Sequence, residues 1–350
     1  MIILFLSDQK SDSFVRQTRI ISELAKQALM SRQKQFVCSR RALAGVLTLL
    51  LLASVVSCSQ TTQVSETAKH AFKGAYPIRV VCTTGMVADV VQRVGGKHVA
   101  VTTLMGEGVD PHLYKASTGD LQQLDSADAI FYSGLHLEGK MAELLERLDR
   151  RKPTIAVTST VDASKLLKAE NAADPHVWFD VQLWSHTTKA VADALSVFDS
   201  THAADYAANQ KQYADELLAL DAECRKQLAE IPAERRVLVT AHDAFEYFGR
   251  AYNLEVRAIQ GISTESEAGV REINALVDFL VQRKIKAVFI ETSLSDRNIK
   301  ALVEGCQSRS HAVTIGGALY SDAMGQHGTP EGTYPGMVRK NVETIVKALK

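Results

Sequence analysis

Residues 237–248 read VLVTAHDAFEYF, and this stretch determines the predicted fold. Its first four residues, 237–240, predict a short strand that is buried on both faces, which is typical of parallel sheets. A helical pattern with three aromatic residues follows at once. Four other short runs have the same apolar character, at 79–82, 129–132, 287–290 and 312–315. Because amphipathic helical stretches such as 270–280 separate the runs, the chain is predicted to be an α/β protein built from right-handed βαβ units.

A long polar segment from 203 to 230 interrupts this alternation. Its apolar positions recur at helical spacing, and they are Tyr206, Tyr213, Leu217, Leu220, Cys224 and Leu228. A helix of this length would extend about 40 Å, which is more than one small lobe needs. We therefore expect two lobes, each a mainly parallel β-sheet flanked by helices, joined by one long interdomain helix. The expected bounds are 77–200 for the N-terminal lobe, 201–232 for the helix and 233–350 for the C-terminal lobe.

The first 76 residues have the features of an export signal followed by a tether. Basic residues precede the apolar run 43–56, whose 14 residues are too few to cross a bilayer core of about 30 Å. The tetrapeptide VVSC that ends at Cys58 resembles a bacterial lipobox, in which the cysteine becomes lipidated; an uncleaved anchor and a plain signal peptide are the alternatives. We expect 1–57 to be a leader and signal peptide, with Met30 as an alternative start, and 58–76 to be a tether. The protein is then exported and anchored by lipid, in the periplasm or at the outer cell surface.

Composition limits the classes of partner. The 350 residues are 46% apolar, and 40 basic side chains balance 40 acidic ones to give a formal net charge of zero. Phosphate binding requires a clustered basic surface, and no Lys/Arg-dense segment follows the first 60 residues, so no nucleic-acid partner is expected. The cysteines of the mature chain, Cys82, Cys224 and Cys306, are odd in number and lack Cys-x-x-Cys spacing. They are predicted to be buried, inert thiols.

The tripeptide Asp-Pro-His occurs twice, at 110–112 and at 174–176. Both copies follow an apolar stretch in polar surroundings, and loops at the carboxyl ends of parallel strands converge on a crevice where ligands bind. The proline stiffens the backbone beside the histidine. The aspartate can accept the ring N–H of the histidine or cap the following segment. A turn that happens to contain histidine would explain either copy taken alone.

Two further side chains follow predicted strands of the second lobe. His242 comes directly after the strand at 237–240, with Phe245 and Phe248 expected to pack beneath it, and Asp322 follows the strand at 312–315 through two glycines and a short loop. Together with the two Asp-Pro-His histidines, these side chains supply three imidazoles and a carboxylate, a donor set that suits zinc, manganese or iron(II). Their spread along the chain fits a site built between two lobes.

The other candidate polar residues have weaker signals. Glu291, at the end of the strand 287–290, could accept a hydrogen bond from a metal ligand or pair with an arginine of the opposite wall. His327, in a glycine-flanked segment beyond Asp322, could cover the cleft or contact the metal. His136 precedes a predicted helix and is expected to be structural. The remaining histidines stand singly and are expected at the surface or in hydrogen bonds: His70, His98, His186, His202 and His311.

Taken together, these motifs resemble the TroA-like zinc- and manganese-binding receptors of bacterial ABC importers. The resemblance covers nearly all of the mature chain and rests on GEGVDPH at 106–112, DPHVW at 174–178, TAHDAFEYF at 240–248 and YSDA at 320–323, with support from SGLHLE at 133–138, IETS at 290–293 and the segment 332–341. It implies that the metal ligands are His112, His176, His242 and Asp322. It also implies a single long helix between two lobes, a monomer, and delivery of one Zn²⁺ or Mn²⁺ ion, with Fe²⁺ as a third candidate, to an ABC-transporter membrane permease.

Two departures from the family pattern leave the choice of metal open. Zinc-devoted members often carry a long loop rich in histidine and acidic residues, and nothing of that kind lies between 133 and 174. Manganese-devoted members often have Glu where this chain has His242.

Two other functions are compatible with such a site. A zinc hydrolase also uses three protein ligands, but it needs an open coordination position and a general base, and the sequence has no His-Glu-x-x-His unit. Because four protein ligands leave no position for a reactive water, we expect no enzyme. A surface adhesin lipoprotein with a structural metal is the second alternative, and it does not by itself explain four converging donors.

Overall fold

Short runs rich in β-branched residues form the strands, and amphipathic stretches between them form helices. The computed structural model describes residues 71–169 and 172–350, all within the single unit His70–Lys350. The leader, the predicted lipidation residue Cys58 and most of the tether lie outside the described residues.

The strands are β1 Ile78–Cys82, β2 Val99–Thr103, β3 Ala129–Tyr132, β4 Thr154–Ala156, β5 Lys168–Ala169, β6 Ala172–Ala173, β7 Val237–His242, β8 Glu255–Gln260, β9 Ala287–Glu291 and β10 Thr314–Leu319. The α-helices are α1 Gly85–Gly95, α2 Thr118–Ser126, α3 Ala142–Asp149, α4 Val181–Trp184, α5 Thr187–Phe198, α6 Ala203–Leu228, α7 Glu246–Tyr252, α8 Val270–Arg283, α9 Arg297–Ser308 and α10 Tyr334–Leu349. None of the helices in the described part of the chain combines the length and the apolar character that crossing a membrane requires.

The N-terminal lobe is built on a four-stranded parallel sheet in the order β2-β1-β3-β4. The central strands β1 and β3 are almost wholly buried, and the predictions at 79–82 and 129–132 are confirmed to within one residue. The edge strand β2 is mostly exposed and β4 has three residues. Neither edge strand was predicted, because neither has the continuous apolar run of a strand that is covered on both faces.

The C-terminal lobe contains two parallel pairs, β7 with β8 and β9 with β10. The predictions at 237–240 and 287–290 are confirmed, and β7 is buried along its whole length. The prediction at 312–315 is wrong in its bounds and burial, since β10 begins at Thr314 and is largely exposed. The strand also continues through Gly316 and Gly317, which were expected in a loop. The register of β10 against β9 is irregular between Ile315 and Gly317. Gly317 has a backbone φ of 151° and lies close to the side chain of Thr344, so a residue with a β-carbon would not fit there.

The predicted connector is a single helix, α6, of 26 residues. Its length is about 39 Å at 1.5 Å per residue. All six apolar positions that the spacing predicted are buried, and the helix packs against α1 and α5 before it in the chain and against α10 after it. A continuous apolar core therefore lies along this helix and includes residues of both lobes, such as Val80 and Val256. The three cysteines of the mature chain are free and buried, as predicted.

Candidate metal centre

Four side chains meet at one point, and three of them lie at or beyond the carboxyl ends of strands of the parallel sheets, where such sheets place their ligand sites. His112 lies in the loop after β2, and His176 immediately precedes a short 3-10 turn, Val177–Phe179. His242 is the last residue of β7, and Asp322 lies just beyond β10. All four are buried, with exposures of 4%, 0%, 0% and 1% in chain order. Two come from the chain before α6 and two from the chain after it, so the group lies between the lobes.

The distances within this group match a metal coordination shell. The Nε2 atoms of His112 and His176 are 3.3 Å apart. The carboxylate of Asp322 lies 3.3 Å from His242 Nε2, 3.5 Å from His176 Nε2 and 3.7 Å from His112 Nε2. Four donors in a regular tetrahedron about 2.1 Å from a common centre lie about 3.4 Å from one another. One ligand atom of each residue lies within 4.8 Å of all the others, so the four side chains can hold one metal ion.

The two Asp-Pro-His copies differ in the use of the aspartate. Asp174 Oδ1 accepts the backbone N–H of His176 at 2.9 Å and also contacts the ring Nδ1 at 2.7 Å. When the ring is neutral, this contact holds its proton on Nδ1 and leaves the Nε2 lone pair facing the centre. Asp110 Oδ1 accepts the backbone N–H of His112 at 2.9 Å, and its Oδ2 accepts from the Thr264 hydroxyl at 2.6 Å. Of the two alternatives left open by the sequence, orientation of the ring therefore occurs at 174–176, whereas Asp174 does not cap the following 3-10 turn, whose N-cap is His176.

Glu291 orients the third imidazole. Its Oε1 accepts the backbone N–H groups of Ala241 and His242 at 2.8 Å each, and its Oε2 contacts His242 Nδ1 at 2.5 Å. The carboxylate is 3% exposed. Of the two roles considered for Glu291, the structure therefore has the hydrogen bond to a histidine of the site, and the ring of His242 presents Nε2 to the centre as His176 does.

The carboxylates change the protonation of two of the histidines. Burial disfavours a charged imidazole, yet Asp174 and Asp322 outweigh burial and raise the pKa of His176 to about 9. Burial also opposes protonation of His242, but Glu291 and Asp322 raise its pKa well above the ordinary value. Without a metal ion, both rings are therefore imidazolium cations at neutral pH, with a second proton on Nε2.

His112 and Asp322 are shifted in the opposite direction. Burial, together with repulsion from the other two imidazoles, lowers the pKa of His112 to about 4 against the attraction of Asp322. Burial by itself would raise the pKa of Asp322, but His242 and His176 lower it well below its usual range. The carboxylate therefore stays ionised, and a metal ion that binds here must displace the protons of His176 and His242.

Unpartnered polar atoms support a cation at this point. His242 Nε2 and both carboxylate oxygens of Asp322 are fully buried and have no hydrogen-bond partner among the described residues. Buried polar atoms without a hydrogen bond are rare in folded proteins, so such atoms usually serve a ligand. A divalent cation would satisfy all three at once, and the residues present fit one.

Comparison with known proteins agrees with this geometry. Residues 80–348 match the model of the family described as ZnuA, zinc-uptake complex component A, periplasmic. The chain belongs to this family.

Relatives of this family are similar along most of their length. The manganese-binding lipoprotein MntA of Bacillus subtilis is 50% identical over 275 residues, which covers 78% of this chain and 90% of that protein. The zinc-binding protein TroA of Treponema pallidum is 49% identical over 271 residues, covering 77% and 88%. The solved structure of periplasmic zinc-binding TroA has a TM-score of 0.76 at 48% identity and covers 77% of this chain and 98% of that one. The predicted family and the two-lobed α/β fold are thereby confirmed.

Other predicted residues of this zinc-uptake family member lie outside the group. His327 is exposed and is not among the four converging side chains. His136 is also exposed, with a φ of 65°. His98 and His202 stack on each other with ring centroids 3.8 Å apart, and each contacts a carboxylate. His311 contacts a backbone carbonyl, in agreement with the hydrogen-bonded role expected for it.

Sequence reasoning missed the groups that join the lobes around the site. Thr264 belongs to no recognisable motif, and no feature of the sequence could have indicated its contact with Asp110, 154 residues away. Trp178 and Tyr247 lie within quoted motifs but had no assigned role. The Trp178 indole donates to the Ser321 carbonyl at 3.1 Å, and the Tyr247 hydroxyl donates to the Asp174 carbonyl at 2.9 Å. Buried aromatic residues beside the metal-site motifs were the available signal for these two.

Proposed function

We propose that this chain is the extracytoplasmic receptor of an ABC importer, and that it binds one divalent transition-metal ion between its lobes and delivers the ion to a membrane permease. His112, His176, His242 and Asp322 are the proposed ligands. The observation that carries the proposal is the convergence of four buried donors from both lobes, one ligand atom of each lying within 4.8 Å of the others. The cation is cargo, so the receptor must bind it and also release it.

The proposed cargo is zinc or manganese, with iron(II) as a third candidate. Relatives of almost equal identity are named for different metals, manganese in one and zinc in the other. Three imidazole nitrogens favour zinc over manganese in affinity, whichever ion a cell supplies. Affinity measured in isolation therefore does not identify the physiological ion, and competition at defined free concentrations is needed.

The finer features of location and partnership belong to the same proposal. We infer that lipid attached to Cys58 holds the receptor at the membrane, in the periplasm or at the outer cell surface, and that residues 58–76 act as the tether. Several relatives are named as lipoproteins of metal ABC transporters. We expect the receptor to act as a monomer, because its ligand set is complete within one chain.

Native mass spectrometry of residues 59–350, purified without chelator, tests the proposal. One zinc or manganese ion per chain is expected, and an equimolar mixture of the two should show which ion binds more tightly. Asp322→Ala should lose the ion. His98→Ala is the matched control, because His98 is a buried histidine outside the group and should leave the stoichiometry unchanged. A wild-type protein that binds neither ion, or an Asp322→Ala protein that keeps it, would overturn the assignment.

The two alternative functions make different predictions. A hydrolase would turn over ester, amide or phosphoester substrates in the zinc-loaded form, and we expect no such turnover. A pure adhesin would tolerate loss of all four ligands without loss of metal uptake in cells. Growth of a deletion strain in metal-depleted medium, complemented with wild type or with Asp322→Ala, separates the receptor from the adhesin.

A further inference from the structure

The loop 261–269 contains one residue whose burial is out of keeping with its neighbours. Thr264 is only 6% exposed, whereas Gly261, Ser263 and the segment 265–267 are exposed. The loop follows β8 in the C-terminal lobe. The Thr264 side chain is buried because its hydroxyl crosses to the N-terminal lobe and donates to Asp110 Oδ2 at 2.6 Å.

The acceptor of this bond is connected directly to the metal site. The other oxygen of the same carboxylate, Asp110 Oδ1, accepts the backbone N–H of His112 at 2.9 Å. One carboxylate thus links a loop of the C-terminal lobe to the backbone of a proposed ligand in the N-terminal lobe. The second Asp-Pro-His copy has no such link, since Asp174 Oδ2 is buried without a hydrogen-bond partner.

The other side of the site is joined in a different way. The hydrogen bonds from Trp178 to the Ser321 carbonyl and from Tyr247 to the Asp174 carbonyl are fully buried, and the rings of Phe179 and Phe245 are 4.2 Å apart. Separating the lobes there would expose large aromatic side chains, each of which buries about 150–250 Å². That side is expected to remain closed.

On the side of His112, the contacts across the cleft are polar and less buried. Besides the Thr264–Asp110 bond, Lys140 and Glu265 form an ion pair at 3.0 Å, with side chains 35% and 45% exposed. An exposed ion pair contributes little to stability, whereas a hydrogen bond to a carboxylate contributes more and is not screened as strongly. Thr264 is therefore the principal polar connection on this side.

We propose that Thr264 is a positioning residue that latches the cleft: its bond to Asp110 holds the His112 segment against the C-terminal lobe, and the bound ion leaves on this side when the bond breaks. The inference rests on the proposed function and adds the route and the control of release. His112 is the most exposed of the four proposed ligands, at 4%, and is the first that a departing ion would lose.

The test compares zinc release from three variants with the wild type. Zinc-loaded protein is mixed with excess chromogenic chelator in a stopped-flow instrument, and stoichiometry is measured in parallel. Thr264→Val keeps the shape and removes the donor, and release should be about tenfold faster. Thr264→Ser restores the hydroxyl and should release within about twofold of wild type. Thr292→Val is the control, because Thr292 lies beside Gly108 on the same side and its buried hydroxyl has no partner among the described residues.

The outcomes distinguish a failure of the latch proposal from a failure of the proposed receptor function. A wild type that binds no zinc contradicts the proposed function, and stoichiometry reveals this before any rate is measured. If the wild type binds zinc but Thr264→Val releases it at the wild-type rate, the proposed receptor function stands and the latch is overturned. Equal acceleration in Thr264→Val and Thr264→Ser would also overturn it, since Thr264→Ser keeps the hydroxyl and the release rate would then not depend on the hydrogen bond.

Discussion

Replacing Glu291 by glutamine changes one atom next to a proposed ligand and leaves the shape of the side chain intact. The glutamine oxygen can still accept the backbone N–H groups of Ala241 and His242, which now donate to Glu291 Oε1 at 2.8 Å. The new NH₂ group then replaces Oε2, which contacts His242 Nδ1 at 2.5 Å. An NH₂ group can only donate, so His242 Nδ1 must accept, and the ring of the apo protein is left with its one proton on Nε2. That atom faces the Asp322 carboxylate at 3.3 Å, where the metal ion would bind.

The loss of metal affinity in Glu291→Gln can be estimated from this geometry. To bind a metal through Nε2, His242 must return its proton to Nδ1, where it meets an N–H donor instead of a carboxylate. Removal of a hydrogen-bond partner of a metal-ligating histidine typically lowers metal affinity by about 10- to 100-fold, or about 1.4–2.7 kcal/mol. We expect Glu291→Gln to fall in this range. The apo fold should survive, because the two backbone hydrogen bonds remain.

Competition with a fluorescent chelator at pH 7.5 measures the affinity, and thermal unfolding of the apo protein measures the stability. Glu138→Gln is the matched control, since Glu138 is a buried carboxylate that accepts from Thr83 and two backbone N–H groups outside the metal group. It should lower the melting temperature without changing metal affinity. An affinity of Glu291→Gln within twofold of wild type would refute the reasoning about the tautomer, and an equal loss in Glu138→Gln would show that general loosening is responsible.

Four further predictions follow from the site and the tether. The pKa of His176 is raised to about 9, so its proton stabilises the apo fold fully below pH 6.5, and this contribution is lost as pH rises through about 9. Metal affinity rises over the same range, because fewer protons compete with the ion. The thermal shift on zinc addition should therefore be larger at pH 8.5 than at pH 6.5 in scanning fluorimetry. Metal loading should change the radius of gyration little in solution scattering, because α6 and the shared core restrain the lobes, and a large decrease would contradict this. His327→Ala should weaken binding less than His112→Ala in the chelator assay, and an equal loss would bring His327 into the site. Cys58→Ser should remain an unprocessed precursor, and a wholly soluble wild type with an unmodified N-terminus would remove the lipid anchor.

Several features could be predicted from the residues because local physics determines them. The buried strands β1, β3, β7 and β9 appear as apolar runs, since a strand covered on both faces has mostly apolar residues. The helix α6 appears in the sequence as the stretch 203–230 with regular apolar spacing, and all six predicted positions are buried. Strand ends and short loops carry the histidines and the aspartate, and their donor chemistry indicates a metal of the zinc and manganese class.

The pH range over which protons compete with the metal ion cannot be predicted from residue type alone. An isolated histidine titrates near pH 6.5, and from residue type alone protons would compete with the metal only around and below that value. In the fold, carboxylates raise the pKa of His176 to about 9, and burial lowers that of His112 to about 4. Identical side chains in identical tripeptides thus differ because the fold places the aspartate of the tripeptide on the ring of His176 and not on that of His112.

Sequence by itself determined the α/β class, the long connecting helix and the four side chains able to bind a cation, because helix period, strand burial and donor chemistry are properties of short segments. Tertiary structure alone decided the distances of 3.3–3.7 Å among the four side chains, the contact of Glu291 with His242 and the bond between Thr264 and Asp110. It also decided that β10 is an exposed edge strand that passes through two glycines. These features depend on how the two lobes pack along α6, and no short-range pattern encodes contacts between residues that are 49 to 210 positions apart.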